Sequence, residues 1–444
     1  MRAVVVGAGE VGSSIAASLA DSHEVVVVDV DGDRVDRLTF DIDVLAIEGD
    51  GTALETLEEA DVAAADIVVA STDGDETNLA VCGTVKTLSE AFTIARVKRT
   101  AYLDTWQQTQ GAFGVDFMVC SDLLTAQAIV RVVGLPTARD VDPFAGGQVQ
   151  MAEFRVPEGS PLAAQTVREA DRFEGLTFAA VLRDDEIEMA RGETVISPGD
   201  KLVVIGSPES VQAFAAALVR EPAGDVSDVV VVGGGEIGFL TAQLLERRGF
   251  APRLVEQDAA RARVVAEALP GTTVLSHDAT DLDFLEREHV GEADVVIAAL
   301  DNDEKNLLVA LLARSLGAGR TVAVVDEGSY VDLFEAVDVD VAVNPREVTA
   351  EEITRFTREE RAENVAIIES DLAEVLEIEI DEKSVLRDRP ISEAVADLPA
   401  SVVVGAITRA GERITPRGDT VVRAGDHVVV FVRTEDIERV TAAL

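Results

Sequence analysis

The chain has 444 residues, 47% of them hydrophobic, so it is long enough to form two or more globular domains that each bury a core. Its 83 acidic residues outnumber the 38 basic ones and leave a formal net charge of −45, which argues against nucleic-acid binding because no basic stripe remains to hold phosphates. The two cysteines have no zinc or disulfide spacing, and no apolar run approaches the roughly 18 residues of a membrane span. No signal-peptide pattern precedes the first predicted strand, so we expect a cytoplasmic protein.

The acidic residues are dispersed along the whole chain rather than gathered in a tail. A dispersed excess favours an acidic surface on folded domains over a disordered acidic segment. We interpret it as the mark of a halophile, because concentrated counterions in a high-salt cytoplasm would screen the self-repulsion. An ordinary acidic protein is the alternative.

Residues 1–30 carry the pattern of a dinucleotide-binding unit. Apolar runs at 3–6 and 25–28 predict two buried parallel strands, the second ending at Asp29, and an amphipathic segment at 13–20 predicts the helix between them. Glycines in such a G-x-G-x-x-G turn allow a tight bend, a close approach to a pyrophosphate and close helix packing, while the helix N-terminus attracts the phosphates. Asp29 can accept hydrogen bonds from a ribose and would repel a 2′-phosphate. The turn, called here the first glycine loop, consists of Gly7, Ala8, Gly9, Glu10, Val11 and Gly12.

The rest of this first nucleotide domain alternates short apolar runs with helical patterns. Such alternation is typical of an α/β fold with a doubly wound parallel sheet. A helix is predicted at 122–133, and its apolar side chains can pack on their own domain or against a partner subunit. Six strands are predicted near residues 2–6, 25–29, 44–47, 67–70, 93–97 and 117–119.

Two later segments follow a different plan, with short alternating strands separated by turns. They fit small α+β domains that hold no glycine-rich loop and no cluster of convergent polar residues, so we expect a regulatory or assembly role for them. The predicted strands lie at 148–156, 176–183, 185–190 and 200–206 in one segment and at 374–380, 401–409 and 426–432 in the other.

The second half of the chain repeats the first, which indicates an internal duplication. GDGT at 49–52 matches HDAT at 277–280, so Asp278 corresponds to Asp50, and the strand that corresponds to the one ending at Asp29 ends at Glu256. The second glycine loop consists of Gly233, Gly234, Gly235, Glu236, Ile237 and Gly238. The predicted order is nucleotide domains at 1–135 and 226–350, small domains at 136–221 and 351–444, a break between repeats near 220–225 and a second helix at 350–362.

This order and these motifs resemble the TrkA family, the regulatory subunits of Trk potassium uptake systems, which are built from tandem RCK units. GAGEVG with its acid, STDGDETN at 71–78 and IARV at 94–97 carry the resemblance, which covers essentially the whole chain. It implies a cytoplasmic protein on the inner face of the membrane that binds NAD(H), and also ATP or ADP. It further implies assembly into a homo-oligomeric ring, such as a tetramer, that gates an integral membrane, TrkH-like potassium transporter subunit.

The resemblance also assigns roles to individual residues. The backbone of residues 7–11 would meet the phosphates, Asp29 the adenosine ribose and Asp50 the adenine. Thr72 and Asp73 would lie where the pocket closes. Arg96 would reach a phosphate, across a subunit boundary in one arrangement; a surface ion pair is its alternative role.

The second copy departs from this pattern. Val324 corresponds to Arg96 and Leu300 to Thr72, so the second pocket loses a charge-assisted phosphate contact while keeping its glycines and Glu256. We therefore predict that the two sites differ in affinity or in preferred nucleotide.

An NAD-dependent oxidoreductase and the gating ring of a potassium channel are the alternative functions. A dehydrogenase needs a proton donor or acceptor beside the nicotinamide, yet only His277 among the histidines is expected at a strand end suited to a site, and its counterpart is Gly49. The acidic runs at 73–76 and 301–304 favour solvated helix starts over a metal site. We predict no enzyme activity and no bound metal, and a duplicated chain without a membrane span favours the transporter subunit.

Overall fold

The computed structural model describes residues 1–20, 23–109, 111–135, 137–183, 186–219, 226–358, 364–368, 372–398 and 401–444. Contacts divide the chain into two units, each assembled from two separate stretches. Unit 1 contains Met1–Val130 and Ser227–Thr354, and unit 2 contains Arg131–Val226 and Arg355–Leu444. The predicted break at 220–225 lies outside the described residues.

The first nucleotide domain contains a six-stranded parallel sheet with the order β3-β2-β1-β4-β5-β6. All six predicted strands form, with bounds that differ by one residue at most. The strands are β1 Arg2–Val6, β2 Glu24–Asp29, β3 Leu45–Glu48, β4 Ile67–Ala70, β5 Phe92–Val97 and β6 Phe117–Cys120. The helices are α1 Glu10–Ala20, α2 Gly32–Asp41, α3 Leu54–Glu59, α4 Asp75–Leu88, α5 Thr100–Thr109 and α6 Ser121–Val133.

The first small domain contains a five-stranded antiparallel sheet with the order β10-β9-β11-β8-β7. The four predicted strands form, although the predicted start of one at residue 185 lies outside the described residues. The strand β7 was not predicted. The elements are β7 Ala138–Phe144, β8 Val149–Arg155, α7 Val167–Ala170, β9 Leu176–Arg183, β10 Glu186–Met189, β11 Lys201–Gly206 and α8 Pro208–Leu218.

The second nucleotide domain repeats the first, with the sheet order β14-β13-β12-β15-β16-β17. Its central strands β12 and β15 are buried throughout, as β4 is, because helices cover both faces of a parallel sheet. The strands are β12 Val229–Val232, β13 Arg253–Glu256, β14 Thr273–Ser276, β15 Val295–Ala298, β16 Thr321–Val324 and β17 Val341–Val343. The helices are α9 Glu236–Arg247, α10 Ala259–Ala268, α11 Leu282–Arg287, α12 Asp303–Leu316, α13 Val331–Ala336 and α14 Pro345–Arg358.

Helix α14 begins five residues before its predicted start at residue 350, so that start was wrong. Pro345 occupies the first helical position, where its missing N–H costs no hydrogen bond. The side-chain oxygen of Asn344 accepts the N–H groups of Arg346 at 2.8 Å and Glu347 at 2.9 Å, which caps the helix there. The predicted continuation over 359–362 lies outside the described residues.

The second small domain has the topology of the first, with the sheet order β18-β19-β22-β20-β21. Within unit 2 the two small sheets share one hydrophobic core, to which Phe144 and Ile205 contribute from one sheet and Val375 and Phe431 from the other. The described residues contain no helix that is both long and apolar enough to cross a membrane. The elements are β18 Asn364–Ile368, β19 Ala373–Glu379, α15 Ile391–Ala394, β20 Val402–Arg409, β21 Glu412–Ile414, β22 His427–Arg433 and α16 Ile437–Thr441.

Candidate functional site

A cavity of about 800 Å³ lies at the carboxyl ends of the strands in the first nucleotide domain. It spans the switch point between β1 and β4, where open α/β sheets bind ligands. Gly12 does not line the cavity; it lies where the start of α1 packs against the carbonyl group of Gly7. The other predicted residues of this domain all line it: Gly7, Ala8, Gly9, Glu10, Val11, Asp29, Asp50, Thr72, Asp73 and Arg96.

The first glycine loop depends on its glycines for different reasons. Gly7 has φ of +110°, and a Cβ there would lie 2.9 Å from the Thr72 nitrogen. A Cβ on Gly12 would lie 1.8 Å from the carbonyl oxygen of Gly7, so the start of α1 can approach the loop only without a side chain. The nearest atom to a Cβ on Gly9 would be an Arg34 nitrogen at 3.7 Å, which leaves this part of the backbone open to a ligand.

Asp29 at the end of β2 organises the same loop. Its side chain is 8% exposed, and one carboxylate oxygen accepts the Ala8 N–H at 2.5 Å while the other accepts the Asp31 N–H at 2.8 Å. A carboxylate has about four acceptor positions, so both oxygens keep room for a ribose hydroxyl. The acid therefore holds the loop in shape and still faces the cavity.

Asn78 on α4 joins the ends of β4 and β5 beneath the cavity. Its side-chain oxygen accepts the N–H of Thr72 at 2.9 Å and the Thr72 hydroxyl at 2.6 Å. Its side-chain nitrogen donates to the carbonyl oxygens of Thr72 at 2.9 Å and Arg96 at 2.8 Å. Sequence reasoning did not select Asn78, although Asn306, in the matching position of LDNDEKN, makes the equivalent contacts to the backbone groups of Leu300 and Val324.

Arg96 brings a buried positive charge to the cavity. It is 5% exposed, and its closest acidic contact is an Nη1–Oδ1 distance of 3.6 Å to Asp73. The Arg96 Nε has no hydrogen-bond partner among the described residues. Burial lowers the pKa of the guanidinium, and Asp73 opposes that shift only in part. A buried cation with an unused donor suits an anionic ligand.

Two residues of the second nucleotide domain, Glu327 and Arg346, line the same cavity. The Arg346 Nη1 donates to a carboxylate oxygen of Glu10 at 2.7 Å, across the contact between the nucleotide domains within unit 1. Burial lowers the pKa of Arg346, but Glu10, Asp326 and Asp73 together raise it by more. Sequence reasoning missed both residues because only tertiary packing places them at this site.

The second glycine loop has the same framework. Gly233 has φ of +108°, and Glu256 accepts the Gly234 N–H at 2.7 Å, as Asp29 accepts that of Ala8. Asp278 accepts the N–H of Thr280 at 2.9 Å and its hydroxyl at 2.8 Å, which lowers the Asp278 pKa. Asp50 makes the equivalent contacts to Thr52, at 2.9 Å to the N–H and 2.7 Å to the hydroxyl.

The charged groups differ between the two copies. Val324 is buried where the first copy has Arg96, and Leu300 packs against the core of the second domain. The first site has Arg96 and Arg346 in its lining, besides Arg34 and Arg37 of α2, whereas the second has no arginine at the position of Arg96. The described residues include no group of three or more side chains suited to hold a metal ion.

Comparison with known proteins identifies the family. The TrkA-N domain model matches residues 3–120 and 229–345, and the TrkA-C domain model matches residues 151–219 and 375–444. The chain is 36% identical over 446 residues to the Trk system potassium uptake protein TrkA homolog of Archaeoglobus fulgidus, with 99% of each chain covered. It is 35% identical over 439 residues to TrkA homolog 1 of Methanosarcina mazei, with 97% of each covered.

Among solved structures, a GsuK channel bound to NAD has a TM-score of 0.61 and 21% identity, with 100% of this chain and 79% of that chain covered. At that identity the likeness shows the fold alone. The chain thus shares a known architecture, in which two nucleotide-type domains with parallel sheets alternate with two small domains with antiparallel sheets. From its matches over both repeats, the chain belongs to the TrkA family.

Proposed function

We propose that the protein is the regulatory subunit of a potassium uptake system and that it senses NAD(H). The observation that carries the proposal is the cavity in which the first glycine loop, the acid Asp29 and the buried guanidinium of Arg96, whose Nε has no hydrogen-bond partner among the described residues, converge. The relatives named as Trk system potassium uptake proteins, which match along almost their whole length, support a role in potassium uptake. A channel neighbour bound to NAD supports the choice of ligand.

In this proposal the chain's own residues position the ligand. The backbone of residues 7–11 receives the pyrophosphate through the N–H groups of residues 9–11, because that of Ala8 is donated to Asp29. Asp29 accepts the ribose hydroxyls and Asp50 lies beside the adenine. Thr72 and Asp73 close the pocket at the end of β4, and Arg96 binds a phosphate oxygen. The charge of Asp29 disfavours a 2′-phosphate, which selects NAD(H) over NADP(H).

The second copy offers Gly233, Gly234, Gly235, Glu236, Ile237 and Gly238 with Glu256 and Asp278 as a second, weaker nucleotide site. ATP or ADP would use the same loop and ribose contacts as NAD(H) in either copy. A nucleotide regulates the protein only if it binds one arrangement of the nucleotide domains better than another.

The assembly in this proposal is a cytoplasmic homo-oligomeric ring, a tetramer, on the inner face of the membrane. Its partner is an integral membrane potassium-translocating subunit of the TrkH type. The nucleotide gates that partner and is not consumed.

Calorimetric titration of the full chain with NADH, NAD⁺, NADPH, ATP and ADP tests the proposal. We expect NADH to bind more tightly than NADPH, and R96Q to weaken NADH binding at least about tenfold because a charge-assisted contact is lost. The matched control is R287Q, since Arg287 is 62% exposed on α11 and does not line the cavity. Absence of nucleotide binding, or turnover of NADH with carbonyl substrates followed by absorbance, would contradict it.

A further inference from the structure

The helix that follows the sixth strand of each nucleotide domain carries opposite charges at equivalent positions. In the first sheet Val119 pairs with Arg96, and in the second sheet Val343 pairs with Val324, which itself corresponds to Arg96. Three residues after each of these valines stand Asp122 on α6 and Arg346 on α14. Structure, rather than sequence similarity, establishes this correspondence, because the connections before β6 and β17 differ in length.

Arg346 adds a positive charge from the second nucleotide domain to the first site. It lines the cavity, contacts Glu10 at 2.7 Å and interacts electrostatically with both Asp73 and Arg96. Arg96 of the first nucleotide domain and Arg346 of the second therefore both reach the cavity, which Arg34 and Arg37 of α2 line as well. Glu10 pairs with Arg346, whereas the closest acid to Arg96 is Asp73 at 3.6 Å.

Asp122 interacts electrostatically with the corresponding acid of the second glycine loop. Glu236 at the start of α9 corresponds to Glu10. Burial and, to a smaller extent, Glu236 raise the pKa of Asp122 to about 6, against the effects of Lys98 and Arg96. The hydroxyl of Thr100 lies 3.3 Å from Glu236, so the same surface of the first domain contacts this loop. Where the first site pairs an arginine with the acid of its glycine loop, the equivalent position of the second site carries a carboxyl group that repels Glu236.

The exchange of charge does not extend to every position. Arg99 corresponds to Glu327, but its guanidinium pairs with Glu76 of its own domain at 2.8 Å and its side chain is 60% exposed. Arg99 therefore does not supply the second site with the guanidinium group that Arg346 supplies to the first.

We infer that Arg346 is a phosphate-binding residue of the first site, supplied by the second nucleotide domain, and that Asp122 with Glu236 excludes phosphates from the second site. The inference rests on the proposed nucleotide function. In this inference a phosphate in the first site binds Arg96 of one nucleotide domain and Arg346 of the other, so the nucleotide links the two domains. The inference also predicts one tightly bound nucleotide per chain.

The first test compares NADH with adenosine, which lacks phosphates, in calorimetric titrations of the full chain. We expect R346Q to weaken NADH binding at least about tenfold and to leave adenosine affinity unchanged, because only the phosphate contact is lost. R287Q should change neither affinity. Equal NADH affinity in R346Q and the wild type would overturn the inference, and so would a parallel loss of adenosine binding. Absence of NADH binding to the wild type would instead reject the proposed function.

A second variant covers the case in which R346Q does not fold. R346K keeps the positive charge that meets Glu10 but loses the planar fork that binds a phosphate with two donors. We expect a folded protein with wild-type adenosine affinity and a several-fold weaker NADH affinity, and an unchanged NADH affinity would contradict the role of Arg346.

The second site is tested by stoichiometry. We expect one tight NADH site per wild-type chain, and a second-site affinity that rises at least tenfold in the double variant D122N/E236Q, which removes both carboxylates. Two equal sites in the wild type would overturn the inference. An unchanged second site in the double variant would show that the carboxyl pair is not what excludes phosphates.

Discussion

At Gly12 the space that a side chain needs is already filled by the backbone of Gly7. A Cβ would lie 1.8 Å from a carbonyl oxygen that belongs to the loop itself and cannot rotate away. We expect G12A to lose NADH binding and to lower the free energy of unfolding by about 1–3 kcal/mol or more, as other overpacked sites do. The control is G134A, because no atom lies within 4 Å of a Cβ there. Urea unfolding with parallel NADH titration measures both, and wild-type binding by G12A would contradict the expectation.

Asp122 makes stability depend on pH. Burial raises its pKa from 3.8 to about 6, so the folded protein binds this proton more tightly than the unfolded chain does. The carboxyl therefore destabilises the fold progressively as pH rises from about 4 to 6, and fully above that range. We expect D122N to be more stable than the wild type at pH 7.5, by on the order of 1 kcal/mol, and to lose this advantage at pH 4.

The control for this pH effect is D104N on α5, which removes an equal charge from an exposed position. Chemical denaturation at several pH values in constant salt gives the difference between each variant and the wild type. A D122N advantage that does not depend on pH, or that D104N shares, would show that net charge rather than burial is responsible.

The residues of the site differ in how far sequence could identify them. The loop glycines and Asp29 follow from a motif whose spacing is set by the turn itself. Arg96 required a family resemblance, and the structure adds that its Nε is buried without a partner among the described residues. Arg346 could not be predicted, because it reaches the site across a domain contact that no local pattern encodes.

At the scale of secondary structure elements, Asn78 holds the end of β4, the end of β5 and the start of α4 together. It is fully buried and makes four hydrogen bonds to residues of the two strand ends. We expect N78A to lower the free energy of unfolding by about 2 kcal/mol or more, because buried backbone groups lose their partners. Hydrogen exchange at the end of β5 should accelerate, whereas T87A, at an exposed position of α4, should alter neither quantity. Unchanged exchange in N78A would contradict this role.

Buried parallel strands were predictable because they form continuous apolar runs covered on both faces. The strand β7 was not, because its sequence ARDVDPF contains three charged residues. Those charges are compensated in three dimensions, for example by Arg355, which donates to Asp142 at 3.2 Å. The start of α14 was missed for a related reason, since Asn344 and Pro345 form a capping arrangement ahead of the apolar periodicity.

At the scale of the whole molecule, a net charge of −45 makes stability depend on ionic strength. The screening length falls from about 10 Å at 0.1 M salt to about 3 Å at 1 M, so repulsion between neighbouring carboxylates weakens across this range. We expect the unfolding temperature to rise by several degrees or more between 0.1 and 3 M KCl. Sorbitol at matched osmolality, which does not screen charge, should reproduce only a small part of the rise. A chain that stays equally stable in salt-free buffer would contradict the interpretation of a halophile.

The pairing of domains is the part of the whole molecule that the sequence left open. The repeat indicates a nucleotide domain and a small domain in each half, yet the contacts join like with like, the two nucleotide stretches in one unit and the two small stretches in the other. The shared core of the small sheets consists of residues such as Phe144 and Phe431, which belong to different repeats. Periodicity shows that such side chains are buried but not which domain covers them.

Fusion of two half-chains into one chain allows their equivalent positions to carry different residues, as Arg346 and Asp122 do. In a symmetric dimer of identical chains, each mutation appears twice, so an arginine that reaches one pocket also reaches its twin. When both halves belong to one gene, a substitution changes one pocket and leaves the other as it was. One repeat can then specialise in binding the nucleotide, while the other repeat evolves to contribute residues to that same site.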